Sequence, residues 1–420
     1  MDFGEKVDIF TRLHILSHAR VVGVFVVATL LALAASFALP EQTSTDFARY
    51  YAPRAREFLA GSGLLDPNGQ LYTRYPPGYP LILVGVLAGA DALNVSERAL
   101  LIVVASVGMG ASAVLLYATA ARVFGQNRAL ITAGAWATYP FALWTISGGQ
   151  IEAIYMPFFF AAIYVFMRVF FTPAPPRAPL FGLSGILVGM AMLIRPAALG
   201  VGMILALFAL SRRQIAGAAA LVAANGLIIA LWLIPVYMQN GVVIPLSTGG
   251  VLSVIDGVTF AVRASSEREA VTLPASVIAL QRRILDGVQA ADESASWLGI
   301  VAAELRADPA AALQLGAIKA GRAWYATDSR RYETLSALIQ IVYLALIGAA
   351  AWRILRGHAP PNAKRLLALV VALMVYGWLT TIAVLSILRY MLPTMGLLFC
   401  LLPALFVRAS HRDAATDNLA

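Results

Sequence analysis

The sequence predicts an all-α, polytopic membrane protein, and three observations predict it. Of the 420 residues, 60% are hydrophobic and only 13% are charged, whereas a globular domain runs nearer a quarter charged. The apolar residues gather in runs of the length a helix needs to cross a hydrocarbon layer. Basic residues collect in alternate short connections between those runs, which is the charge bias of a chain with several crossings. A net charge of +9 in a soluble domain would point to nucleic acid. Here the excess lies in inter-span connections and no RNA- or DNA-binding motif accompanies it, so the bilayer is the expected partner. The single cysteine, Cys400, excludes an intrachain disulfide and leaves the compartment unread.

Residues 1–19 are polar and mixed in charge, and Lys6, Arg12 and Arg20 flank the first apolar run at 21–39. That run is about 28 Å long as a helix. It is longer than the core of a signal peptide, and the reading favours an uncleaved anchor. Residues 80–93 make a run about 21 Å long as a helix, short for a crossing and interrupted by Asp91. If it lies on the surface, the remaining spans fall at 99–121, 129–147, 151–171, 180–194, 197–211, 215–237, 335–352, 366–387 and 390–407. The cytoplasmic connections then hold Arg122 and Arg128, Arg168 and Arg177, Arg212 and Arg213, and Arg353, Arg356, Lys364 and Arg365. The C-terminal tail carries Arg408 and Arg412. If 80–93 crossed, all these basic loops would face outward, against the bias. About ten transmembrane helices with both termini cytoplasmic is therefore the expected count.

This topology divides the chain into an N-terminal membrane module at 1–237, a segment at 238–334, and C-terminal membrane helices with a tail at 335–420. Three features face outward: the loop 40–98, the turn 147–150 with Glu152, and the segment 238–334. The last holds ten of the 22 acids. Its apolar patterning predicts helices at 275–290, 296–306 and 309–325, with Asp308 capping the third and Pro309 at its first position. The proline-rich stretch 172–179 reads as a cytoplasmic turn.

The first outer loop is the richest in chemistry. Residues 45–80 carry Asp46, four arginines and five tyrosines. Asp46 reads in two ways, as the cap of a helix at 47–60 or as a carboxylate placed to take a proton from an incoming hydroxyl. Arg74, next to Tyr75 and the turn Pro76-Pro77-Gly78, can bind phosphate or act with Tyr79 as an interfacial anchor. Arg195 and Arg389 sit at the outer ends of apolar spans, where each charge needs a partner. That partner is an anionic headgroup or phosphate, or an internal acid such as Asp46 or Glu152. Glu152, at the head of a span, also complements a helix dipole. Residues 245–257, with Ser247, Thr248, Gly249 and Gly250, allow close backbone approach to a polar ligand. They match a phosphate-cradling loop weakly, having no P-loop lysine and no capped helix expected after them. The four histidines fall on the cytoplasmic side, so a divalent metal is possible only on Asp and Glu, and no cofactor is otherwise expected.

Four stretches carry a resemblance. They are STDFARYYAPRAREFL followed by YPPGYPLIL, SGGQIEAIY, LIRPAAL, and LSTGGVLSVIDG with the later LRYMLP. In this order the chain resembles the integral-membrane glycosyltransferases of the GT-C superfamily, in the branch of protein O-mannosyltransferases and lipid A aminoarabinose transferases. The resemblance implies a polyprenyl-phosphate-linked sugar donor, transfer with inversion, and a glycan, lipid or protein acceptor outside the plasma (inner) membrane. It places the catalytic base at Asp46 and donor-phosphate binding most nearly at Arg74. The reading of the residues themselves adds Glu152 as a second catalytic candidate, Arg195 and Arg389 as further donor-phosphate ligands, and Tyr50, Arg54, Tyr75, Tyr79, Gln150 and Ser247 as substrate contacts. The sequence departs from the family pattern at Thr45, at Tyr75 before the proline pair, and at Gly249-Gly250. A transporter or flippase of an anionic or sugar-linked lipid is the alternative. It would use the same arginines, but transporters commonly show repeats and midplane sites, and neither is visible here.

Overall fold

The computed structural model describes residues 3–39, 46–66, 69–146, 150–171, 178–263, 269–291 and 297–407, with side chains from His18 onward. Thr45, Ser147, Glu267, Asp292, Glu293, Arg408, Arg412, His411, most of the turn 172–179 and the side chains of Lys6, Arg12 and His14 lie outside the described residues.

Long helices form where uninterrupted apolar runs allow every backbone group to be satisfied within the segment. In chain order they are α1 (Phe3–Ala38), α2 (Ala52–Leu59), α3 (Gly78–Leu93), α4 (Glu97–Phe124), α5 (Gln126–Ala137), α6 (Pro140–Trp144), α7 (Glu152–Phe170), α8 (Ala178–Ile194), α9 (Val201–Ser211) and α10 (Ile215–Asn240). They continue with α11 (Gly249–Val258), α12 (Ala275–Ala290), α13 (Trp297–Ala307), α14 (Pro309–Arg322), α15 (Glu333–Leu355), α16 (Pro361–Ala383) and α17 (Leu392–Phe399). A π-helical turn, Phe47–Tyr51, leads into α2, and 3-10 turns flank α17. Among the described residues, extended pairing is limited to one bridge, Leu65 with Leu71. The predicted fold class, a polytopic all-α membrane protein, is the one observed.

Seven segments among the described residues are long and apolar enough to cross a membrane: His18–Ala38, Glu97–Phe124, Glu152–Phe170, Ile215–Asn240, Glu333–Leu355, Pro361–Ala383 and Leu388–Phe406. The other three expected spans are shorter as helices. The run 129–147 breaks between α5 and α6, where Pro140 cannot donate to the preceding turn. Pro196 likewise separates α8, of 17 residues, from α9, of 11. The helix predicted at 47–60 is present, widened at its start into the π turn, in which the Ala52 amide donates to the Phe47 carbonyl. Residues 245–257 contain most of α11, whose N-terminal Thr248 makes no side-chain capping hydrogen bond, so the capped helix of a phosphate-cradling loop is not formed there.

The main core forms where α4 meets α1, α5 and α7, and where α8 meets α7 and α10. A second apolar core belongs to α11–α14, with Val277, Leu280, Ile284, Val301 and Leu315 at its centre. The amphipathic helices α12, α13 and α14 have the boundaries the patterning predicts to within a few residues, and Asp308 caps α14 by accepting from the Ala311 amide at 3.1 Å.

The α11–α14 unit docks on the membrane helices through few but specific contacts. Gly257 of α11 presses against the Val384 carbonyl at the end of α16, where a Cβ would collide with it. Lys319 of α14 donates to the same carbonyl at 3.0 Å. Lys319 is 3% exposed, and burial lowers its pKa to about 8. The unfolded chain therefore binds more protons between about pH 8 and the ordinary lysine value near 10.5. Stability should rise across that window, by up to about 3 kcal/mol. Melting in detergent from pH 7 to 10.5 is expected to show this rise, and Lys319→Met is expected to flatten it.

Candidate active site

Asp46 opens the π-helical turn in helical geometry, and its side chain makes no capping hydrogen bond. The carboxylate instead accepts from the Tyr75 hydroxyl at 3.2 Å. Of the two sequence readings, capping is overturned. Burial first, and then the Asp46 charge, hold the Tyr75 phenol above its ordinary pKa, so the phenol stays protonated and donates.

Arg74 lies over Tyr50, its guanidinium carbon 4.1 Å from the ring centroid, and also donates to the Tyr50 hydroxyl at 2.9 Å. Such stacking orients a guanidinium while leaving its edge available. The Arg74 Nε is buried and has no hydrogen-bond partner among the described residues. The backbone beside it is fixed from the far side of the chain. The Thr248 amide donates to the Thr73 carbonyl at 2.8 Å, and the Gly249 amide to the Arg74 carbonyl at 3.0 Å. A Cβ at residue 249 would stand 2.5 Å from that carbonyl oxygen, so this approach requires glycine.

Glu152, the first residue of α7, is 0% exposed. Its Oε1 accepts from Arg195 at 2.6 Å and stands 3.3 Å from the Arg389 Nε. Arg195 comes from the end of α8 and packs over Tyr390, 4.2 Å from the ring centroid. Arg389 reaches from the turn before α17 to the Gln150 side chain, and Asp328 lies 3.5 Å away. The internal acid that the sequence offered as a partner for Arg195 is therefore Glu152. One carboxylate oxygen serves two arginines from separate elements, so these three side chains, with Glu152 fully buried and Arg389 17% exposed, carry a formal net charge of +1.

These groups share one cavity of about 1010 Å³, large enough for an extended ligand. Asp46, Tyr50, Arg74 and Tyr75 line it from the first loop. Gln150, Glu152, Arg195, Ser247 and Arg389 line it from four later parts of the chain. Phe159, Leu199, Val201, Leu373 and Tyr376 give it an apolar side.

Two predicted contacts are not brought to the cavity. Arg54 is held by Glu57 at 2.6 Å and the Leu65 carbonyl at 2.8 Å, which turns it back onto its own loop. Tyr79 is fully buried, edge-on to Tyr51 at 4.9 Å, so it supports the site from beneath. Sequence reasoning missed Arg49, Asp256, Asp328 and Tyr390, which also line the cavity. Of these, only Tyr390 gave a signal, as the aromatic neighbour of Arg389. Among the described residues no group of three or more His, Cys, Asp or Glu can hold a metal ion, so the divalent ion allowed by the sequence finds no such ligand set there.

Residues 76–238 match the family model of the dolichyl-phosphate-mannose-protein mannosyltransferases. The resemblance read from the motifs thus holds over that segment, which is less than half of the chain and includes Glu152 and Arg195. Asp46, Arg74 and Arg389 lie outside it. No curated protein matches the chain in sequence. Two solved structures of ArnT from Cupriavidus metallidurans match the chain. The one bound to undecaprenyl phosphate is 14% identical, with 91% of this chain and 76% of that chain covered and a TM-score of 0.41. The apo structure is 17% identical, with 92% and 77% covered and a TM-score of 0.42.

Proposed function

We propose that the protein is a glycosyltransferase that moves a sugar from a polyprenyl-phosphate donor to a hydroxyl of a glycan, lipid or protein on the extracytoplasmic side of the plasma (inner) membrane. The observation that carries this reading is the shared cavity: the Asp46 carboxylate and three arginines from distant parts of the chain line it together. Its apolar side suits a prenyl chain, and the charge bias of the connections supports the outward face.

In this reading the acceptor oxygen attacks the anomeric carbon from the face opposite the phosphate, which inverts the configuration. As the carbon–oxygen bond to phosphate breaks, Asp46 takes the acceptor proton. Tyr75 holds the carboxylate in place. Arg74, stacked on Tyr50, and Arg389 stabilise the negative charge on the departing phosphate. Arg195 and Glu152 shape the floor of the phosphate end, and Ser247 and Gln150 contact the polar parts of the substrate.

The test is cleavage. Purified protein in detergent, given polyprenyl-phosphate-linked sugars labelled in the sugar together with a cell-envelope extract as the source of hydroxyl acceptors, is expected to pass the label to an acceptor and release bare polyprenyl phosphate. Binding of every such lipid without cleavage would favour a flippase instead.

A further inference from the structure

Glu152 occupies an unusual position for an acid beside a phosphate site. It is buried, it sits between two of the arginines, and only its Oε1 is engaged. Oε2 has no hydrogen-bond partner among the described residues. An acid that merely neutralised one arginine would not need to face both. An acid there also opposes anion binding, because a phosphate arriving at Arg195 and Arg389 meets a like charge in a medium that screens poorly.

The two lipids of the proposed reaction differ in charge. The donor is a phosphodiester with one negative charge. The product, polyprenyl phosphate, is a monoester that carries nearly two at neutral pH and above. The trio Arg195–Glu152–Arg389 carries +1, whereas the two arginines alone would carry +2. We infer that Glu152 is a selectivity residue that matches the phosphate end of the cavity to the monoanionic donor and weakens its hold on the dianionic product, so that the product leaves. It acts through the two arginines and by direct repulsion, and is not itself a proton carrier. This rests on the polyprenyl-phosphate reading above and adds to it the way the site tells its substrate from its product.

The other charges at the cavity do not cancel this effect. Asp328 is 3.5 Å from Arg389 but its side chain is 48% exposed, so water screens it. Asp46 is engaged by Tyr75, Arg74 is stacked on Tyr50, Asp256 is paired with Arg263, and Arg49 is exposed to water. Glu152 is the fully buried acid of the set, and its charge is the one felt most strongly.

The test uses two probes that differ by one charge: undecaprenyl phosphate and its methyl ester, a diester. Each is titrated at pH 8 into the purified full chain in detergent. The readout is the ratio of the two affinities, which a general loosening of the fold would not move in one direction. Glu152→Gln keeps the shape and removes the charge, and is expected to tighten undecaprenyl phosphate about tenfold or more relative to the methyl ester. Arg195→Gln lowers the trio to zero net charge and is expected to move the ratio the other way, even if both lipids bind more weakly. The same ratio in wild type and both variants would overturn the inference, as would a Glu152→Gln ratio that favours the methyl ester. If neither lipid binds the wild type, the donor class itself falls, and the inference with it. That outcome is distinct from binding with an unchanged ratio.

Discussion

Asp46→Asn is expected to lower sugar transfer by about a thousandfold, within the range a positioned general base contributes, while leaving the Michaelis constant for the lipid donor close to wild type. The substitution is nearly isosteric, and the amide oxygen can still accept from Tyr75, whose hydroxyl now holds Asp46 at 3.2 Å. The aromatic group of Tyr50, Tyr51 and Tyr75 packs with ring centroids 4.8–5.4 Å apart and does not depend on the Asp46 charge. Fold and donor binding should therefore survive, and only proton removal should fail. Steady-state kinetics with a labelled donor measure both constants. A variant that keeps activity within about threefold of wild type would remove Asp46 from the role of base.

The second large effect concerns stability. Arg322 at the end of α14 makes two hydrogen bonds to Glu333 at the start of α15, at 2.8 and 2.7 Å, and Glu333 also accepts from the Thr327 amide at 3.2 Å. The Arg322 guanidinium lies 4.8 Å from the Phe260 ring centroid, and the residue is 6% exposed. Removing one partner of such a pair strands the other charge in a poorly hydrated place, at a cost of about 3–5 kcal/mol. Glu333→Ala is expected to loosen the α11–α14 unit from the membrane helices. Melting in detergent should fall by several degrees, and amide exchange should quicken across 309–333. Unchanged melting and exchange would mean that Gly257 and Lys319 are sufficient to hold the unit.

Much of the architecture was legible because a bilayer leaves the chain few choices. Backbone satisfaction forces helices, so apolar run length alone located α4, α7, α10, α15 and α16. The amphipathic period did the same for α12, α13 and α14, and the Asp308-Pro309 pair marked a helix start. Less legible were features made by partners far apart in sequence. No local pattern indicates that Tyr75 would claim Asp46, that Glu152 would face both Arg195 and Arg389, or that Lys319 would seek a carbonyl 65 residues away. Arg54 shows the converse. Its composition-level promise, an arginine among tyrosines, was cancelled by an acid one helical turn along, at Glu57. The break at Pro140 was visible as a proline, but the length of the run around it argued for one continuous helix.

The two backbone bonds that tie Thr248 and Gly249 to Thr73 and Arg74 bear on how such a protein can diversify. They clamp the Arg74 loop to the first turn of α11 and forbid a side chain at residue 249. Gly250, Leu252 and Ser253 follow at once, face the same cavity, and carry no such restriction; a Cβ on Gly250 would meet nothing within 4 Å. The cavity wall thus has one position that mutation cannot alter without breaking the clamp and near neighbours where side chains can be exchanged singly. If the proposed function holds, descendants of this chain could take up new sugars or acceptors through those few positions while the clamped Arg74 loop stayed as it is.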